Sequence, residues 1–76
     1  MKKIVYTNHA RIRMAERKLT ENIIEKTVFN PDKTLPGAAN KILVQKNING
    51  ETLEVVYVKE NDDYIIITAY YLEEGN

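Results

Sequence analysis

Residues 42–57, ILVQKNINGETLEVVY, contain the strongest β-hairpin signal in this chain. Asn49-Gly50 supplies the positive φ angles that both central positions of a type I′ turn require. A two-residue loop fixes the strand register, so the sequence predicts a specific antiparallel ladder. The predicted pairs are Ile48 with Glu51, Lys46 with Leu53, Val44 with Val55 and Ile42 with Tyr57. The apolar members Ile42, Val44, Leu53, Val55 and Tyr57 share one face, which we expect to be the core face.

A third extended segment follows the hairpin. The polar loop at residues 60–63 leads into YIIITAYY, residues 64–71. Its unbroken run of β-branched and aromatic residues is typical of a strand that is buried on both sides. The sequence therefore predicts at least three antiparallel strands in the second half of the chain.

Two helices are predicted before the hairpin. Residues 8–18 lack Gly and Pro and are rich in helix formers, with Thr7 or Asn8 as the N-cap. A second helix is expected at about residues 21–29, with Thr20 as its N-cap and an end before Pro31. Pro36-Gly37 suits the two central positions of a type II turn.

Together these elements predict an α+β fold. We expect a single domain over residues 1–76, with two N-terminal helices packed on an antiparallel sheet of three to four strands. A short extra strand is possible at residues 3–6 or at residues 33–35. A chain this short buries only about 60% of its unfolded surface, so its stability is expected to be marginal or helped by a partner.

The composition excludes several classes of protein. There is no Cys among the 76 residues, which excludes disulfide scaffolds, thiol nucleophiles and Cys-based metal sites. No apolar run has a membrane-spanning length and no secretory signal is visible, so we expect a soluble, cytoplasmic protein with no membrane partner. The net charge is zero, yet residues 1–19 sum to +5 and residues 20–76 to −5. The basic segment could attract phosphate, or the two halves could neutralise each other in the fold.

The first helix carries a polar stripe. Successive helical residues turn by about 100°, which brings His9, Arg13, Glu16 and Arg17 onto one side. Two guanidiniums beside an imidazole suit a phosphodiester, because each Arg presents paired donors to phosphate oxygens and neutral imidazole can act as a base. The alternative is an ordinary solvated face, on which Glu16 pairs with Arg13 and Arg17 while His9 helps to cap the helix.

Other candidate residues are fewer. Thr68 and Tyr70 lie two apart on the last strand, so their hydroxyls share a face and could reach a substrate, although such residues more often serve packing. With one His and no Cys, the chain has no recognisable metal site, and no cofactor motif is visible. We expect neither a metal nor a cofactor.

The helix sequence HARIRMAER, residues 9–17, carries a resemblance to a known family. With LTE at residues 19–21, NPD at residues 30–32 and ITAY at residues 67–70, it resembles a small bacterial and archaeal domain family of unknown function. That family is grouped with the barnase, colicin-nuclease and RelE-like ribonuclease toxins. The similarity covers nearly the whole chain, with one departure: Lys18 stands where such sequences often have Gly.

The resemblance implies metal-independent RNA cleavage by attack of the 2′-hydroxyl. Carried over to this sequence, it points to His9 as acid or base and to Arg13 and Arg17 as phosphate clamps, with Thr68 and Tyr70 as further contributors. It also implies RNA as substrate and an antitoxin or other protein as partner. Two other interpretations stay open, namely a non-catalytic protein-binding module and a small homodimer whose stripe forms ion pairs between subunits.

Overall fold

The computed structural model describes residues 3–73. In chain order the elements are β1 (Ile4–Tyr6), α1 (Asn8–Arg17), α2 (Glu21–Phe29), β2 (Lys33–Pro36), a short 3-10 turn (Ala38–Asn40), β3 (Ile42–Ile48), β4 (Glu51–Glu60) and β5 (Asp63–Tyr71). The strands form one sheet in the order β1-β5-β4-β3-β2. The fold is therefore α+β, with two helices and a five-stranded sheet.

The hairpin formed by β3 and β4 has the predicted register. Ile48 pairs with Glu51, and the ladder continues to the pair of Ile42 and Tyr57. Asn49 and Gly50 have φ angles of 53° and 92°, as a type I′ turn requires. The local chemistry of these two residues is therefore sufficient to fix the centre of the sheet.

The sheet is larger than predicted and is mixed. Both of the possible extra strands are present, because β2 pairs antiparallel with β3 and β1 pairs parallel with β5. The expectation of three to four antiparallel strands is therefore wrong, and β1 precedes the helices. Parallel strands need a long connection, and here α1, α2 and the strands β2 to β4 lie between β1 and β5 in the chain.

The expected type II turn at Pro36-Gly37 is also wrong. Pro36 ends β2, and Gly37 has an extended backbone with φ −121° and ψ 175°. A Cβ atom at Gly37 would lie 2.6 Å from Leu43 Cδ1. Glycine here therefore avoids a contact with Leu43 of β3, and its role is close packing, not a positive φ angle.

Both helices begin at threonine caps. Thr7 accepts a hydrogen bond from the amide of Ala10, and Thr20 accepts one from the amide of Ile23. Lys18 ends α1 in the left-handed conformation with a φ angle of 57°. Lysine adopts here a backbone that glycine adopts more easily, which agrees with the departure noted in the sequence.

The core lies between the helices and one face of the sheet. It contains Ala10, Met14, Leu19, Ile24 and Val28 together with Val44, Leu53, Val55, Tyr57, Tyr64, Ile66 and Ala69. The opposite face of the sheet has no layer from the described residues, so β5 is fully buried on one side only and half-buried on the other. No helix among residues 3–73 is long and apolar enough to cross a membrane.

Candidate active site

Helix α1 is attached to strand β5 at its first turn. The Thr7 hydroxyl donates to the carbonyl oxygen of Ile66 at 2.9 Å and also accepts from the helix as its cap. Further along, Ala10 and Met14 are buried in the core. These contacts fix the rotation of α1, and with it the direction in which its polar side chains point.

The polar stripe of α1 faces solvent. His9 is exposed, and the side chains of Arg13 and Arg17 are 39% and 38% exposed. One carboxylate joins the two guanidiniums, because Glu16 Oε1 lies 2.7 Å from Arg13 Nη1 and 3.5 Å from Arg17 Nη1. The fold thus brings His9, Arg13 and Arg17 to one open surface, and the predicted ion pairs with Glu16 are present.

His9 does not cap the helix, since Thr7 does. Within residues 3–73 the imidazole has no hydrogen bond and no ion pair. His9 and Arg13 are one helical turn apart, which places their Cβ atoms about 5–6 Å from each other. An unpartnered imidazole beside a guanidinium is thus available to a ligand from solvent.

Arg11 lies on a different flank of the same helix. Its rotation of about 200° from both His9 and Arg13 directs it toward α2 and β1. Its guanidinium forms a 2.8 Å ion pair with Glu21 and lies 4.6 Å from the centre of the Tyr6 ring. Arg11 is therefore engaged by the protein and lies away from the stripe that carries His9.

Thr68 and Tyr70 lie on the sheet face opposite the helices. A β-bulge in β5 shifts the register, because Tyr57 pairs with Ile66 whereas Val56 pairs with Thr68. The extra residue, Ile67, reverses the alternation, so Thr68 and Tyr70 point away from the face that Ile66 occupies. The two hydroxyls share a face with each other, but the fold does not bring them to the stripe on α1.

Tyr70 belongs to a polar cluster on that outer face. The Tyr70 hydroxyl donates to Glu54 Oε2, and Gln45 Nε2 donates to Glu54 Oε1 at 2.7 Å. Glu54 is only 5% exposed although no helix covers it. Burial, followed by the hydrogen bond and the negative charge of Glu54, raises the pKa of Tyr70 to about 12. At neutral pH the phenol keeps its proton and donates it in the hydrogen bond to Glu54.

Glu54 and Gln45 were not among the candidate residues predicted from the sequence. The predicted hairpin register places them directly opposite each other, on the face away from the apolar set. A glutamate that alternates with Leu53 and Val55 in the central strand was therefore a detectable signal for a buried polar pair. The contribution of Tyr70 depends on the bulge, which the sequence does not reveal.

A second tyrosine is perturbed near α1. Burial raises the pKa of Tyr6 to about 12, with smaller contributions from the carboxylates of Glu21 and Glu25. Its hydroxyl is buried and has no hydrogen-bond partner among residues 3–73. The same described residues enclose no cavity and contain no cluster of three His, Asp or Glu side chains that could hold a metal ion. A ligand of the α1 stripe would therefore bind on an open surface.

The fold has a known counterpart. A crystal structure of the Brucella abortus ribonuclease toxin BrnT is similar to this chain, with a TM-score of 0.69 and 15% sequence identity, over 97% of this chain and 100% of that one. At this level of identity the likeness establishes a shared fold. No match was found among curated proteins. The model of a domain of unknown function, DUF4258, matches residues 6–71, and the chain therefore belongs to that family.

Proposed function

We propose that this protein is a metal-independent ribonuclease of the toxin type. The observation that carries the proposal is the exposed, unpartnered His9 on the same flank of α1 as Arg13 and Arg17. Its fold is shared with a protein described as a ribonuclease toxin, which supports the choice of RNA as substrate. The reaction is attack of the ribose 2′-hydroxyl on the adjacent phosphorus, with release of the 5′-oxygen.

His9 takes the proton-transfer role. A neutral imidazole can accept the proton of the 2′-hydroxyl. The second proton, which the leaving 5′-oxygen needs, comes in our proposal from water or from the substrate. Tyr70 is a weaker candidate for that transfer, because its hydroxyl already donates to Glu54.

Arg13 and Arg17 take the role of phosphate clamps. Each uses only its Nη1 atom toward Glu16, and a guanidinium has five N–H donors in total. The remaining donors can bind phosphate oxygens and stabilise the extra negative charge of the phosphorane. Glu16 then holds the two side chains in place before the substrate binds, which lowers the entropic cost of ordering them.

The proposal is tested with purified protein and a mixed-sequence single-stranded RNA in the presence of EDTA. The wild type is expected to cleave the RNA and to leave 2′,3′-cyclic phosphate ends, whereas His9→Ala is expected to lose cleavage. Asn8→Ala is the matched control, since Asn8 is the exposed neighbour of His9 in the same helical turn. Equal cleavage by wild type and His9→Ala would refute the role of His9.

Expression in bacteria gives a second readout. A ribonuclease of this type slows growth, and His9→Ala relieves that effect. The toxin type also implies an inhibitory protein partner, and an acidic surface would match the α1 stripe. A non-toxic wild-type protein that neither cleaves RNA nor changes growth would instead favour the binding-module interpretation.

A further inference from the structure

One face of the sheet carries aliphatic residues without a covering layer. Both helices pack on the other face, as their shared core with β3, β4 and β5 demonstrates. On the outer face, the register brings together the side chains of Val5, Leu35, Leu43, Val56, Val58 and Ile65. An antiparallel sheet with one solvated face ordinarily alternates apolar and polar residues. The outer face of this sheet instead carries an aliphatic area beside the polar cluster of Glu54, and in that area Val5 is exposed while Val58 and Ile65 are half-buried.

The carboxylate within this face does not prevent further burial. Glu54 already accepts hydrogen bonds from Gln45 and Tyr70, and it is 5% exposed before anything covers it. A buried charge is costly mainly when it lacks partners, and these two donors are in place. A second layer could therefore cover the face without leaving Glu54 unsatisfied.

Opposite charges lie at two diagonal corners of the outer face. Lys33 is on β2, level with Gln45, while Glu60 and Asp63 pair with each other at the far end of β4 and β5. The corners are separated by about 20 Å along the strands and by about 10–14 Å across them. Within residues 3–73 none of these three side chains forms an ion pair.

We propose that a second copy of this chain covers the outer face in a two-fold symmetric dimer. The outer faces of the two copies would pack against each other about a two-fold axis that lies in the plane between them. This axis runs perpendicular to the line that joins the charged corners and crosses it at its midpoint. Rotation about it would bring Lys33 of each copy onto Glu60 and Asp63 of the other. The midpoint of that line lies near Leu43 and Val56, at the aliphatic centre. This self-complementary arrangement favours a second copy over an unrelated partner.

The size of the face sets the expected affinity. Five strands and about six residues of strand length give roughly 24 Å by 20 Å, or about 500 Å² per copy. The total of about 1,000 Å² is at the lower limit for specific interfaces. We therefore expect a dimer that forms reversibly with concentration, and one that supplies burial that a 76-residue chain lacks on its own.

Sedimentation equilibrium of the full chain tests the proposal. The average mass of the wild type is expected to rise from the monomer value of 8.8 kDa toward twice that value as the protein concentration increases. Val58→Lys, which puts an ammonium group among the aliphatic side chains, should remain monomeric. A wild type that is still monomeric at about 1 mM would overturn the proposal, since that corresponds to a negligible affinity.

A charge exchange provides the test that does not depend on folding. Lys33 and Glu60 are exposed, so neither substitution disturbs the core. Lys33→Glu and Glu60→Lys should each weaken the dimer about tenfold at low salt, and the double variant should restore it. A double variant as weak as the single variants would overturn the proposed geometry.

Arg13→Ala distinguishes the dimer from an alternative on α1. In our proposal it leaves the dimer intact, whereas in a dimer built on intersubunit ion pairs of the α1 stripe it would dissociate the subunits. Dissociation by Arg13→Ala would thus count against the outer face. The dimer proposal is tested by molecular mass and the ribonuclease proposal by RNA cleavage. Either proposal can therefore fail without affecting the other.

Discussion

Tyr70→Phe should destabilise the protein measurably while it leaves the fold intact. The substitution removes the hydroxyl that donates to Glu54 and leaves this carboxylate, 5% exposed, with Gln45 as its remaining side-chain donor among residues 3–73. A hydrogen bond to a charged group contributes about 1.5–3 kcal/mol to folding. The total stability of a 76-residue domain is on the order of 4–11 kcal/mol, so the loss is a substantial fraction.

Urea denaturation followed by circular dichroism measures this loss. With a slope of about 1 kcal/mol per molar urea, the midpoint should fall by roughly 2 M. Tyr71→Phe is the matched control, because Tyr71 is half-buried and its hydroxyl has no hydrogen bond within the described chain. Equal losses in the two variants would refute the reasoning. RNA cleavage by folded Tyr70→Phe protein should persist. Loss of cleavage would indicate that Tyr70 takes part in the reaction.

Three other predictions concern stability. Tyr6→Phe should be neutral or slightly stabilising in urea denaturation, because the hydroxyl it removes is buried without a partner; a loss above about 1 kcal/mol would indicate an unseen hydrogen bond. Gly37→Ala should lower the free energy of unfolding by about 1–3 kcal/mol through the clash with Leu43, and Leu43→Ala in the same chain should relieve part of that clash. Stability should also fall between about pH 10 and pH 12: Tyr6 and Tyr70 have pKa values raised to about 12, and the unfolded chain releases these protons first. Thermal unfolding at pH 8 and pH 11 checks this loss, which should be smaller in Tyr70→Phe.

The sequence predicts those parts of the fold that local chemistry determines. Asn49-Gly50 defines the central hairpin and its register, and Thr7 and Thr20 mark the starts of both helices, because the responsible contacts lie within a few residues. The pairing of β1 with β5 joins residues about sixty positions apart through three residues only. Such a short strand has no periodicity of its own, so its parallel pairing follows from the completed fold.

The candidate site also contains residues whose positions follow from local structure and residues whose positions do not. His9, Arg13 and Arg17 share a flank because helical rotation determines it, and the burial of Ala10 and Met14 fixes which flank faces solvent. The location of Thr68 and Tyr70 depends on one extra residue in β5. Without that bulge, Thr68 and Tyr70 would share the helix-covered face with Ile66. A single bulged residue therefore decides whether these hydroxyls lie near α1, and no local pattern predicts it.

The most direct measurement compares RNA cleavage by Arg13→Ala and Arg11→Ala under the same conditions in EDTA. Both residues are exposed arginines of α1 that pair with a glutamate, so the two variants lose the same charge and a comparable surface ion pair worth less than about 1 kcal/mol. If Arg13 stabilises the phosphorane, its loss should slow cleavage about a hundredfold, or about 3 kcal/mol. Arg11→Ala should cleave RNA at a rate within about twofold of the wild-type rate. The Arg11 guanidinium lies on the other flank of α1, so its removal is not expected to cost a contact with the transition state. Equal rates for the two variants, whether both unchanged or both reduced, would contradict the assignment of the α1 stripe as the active site.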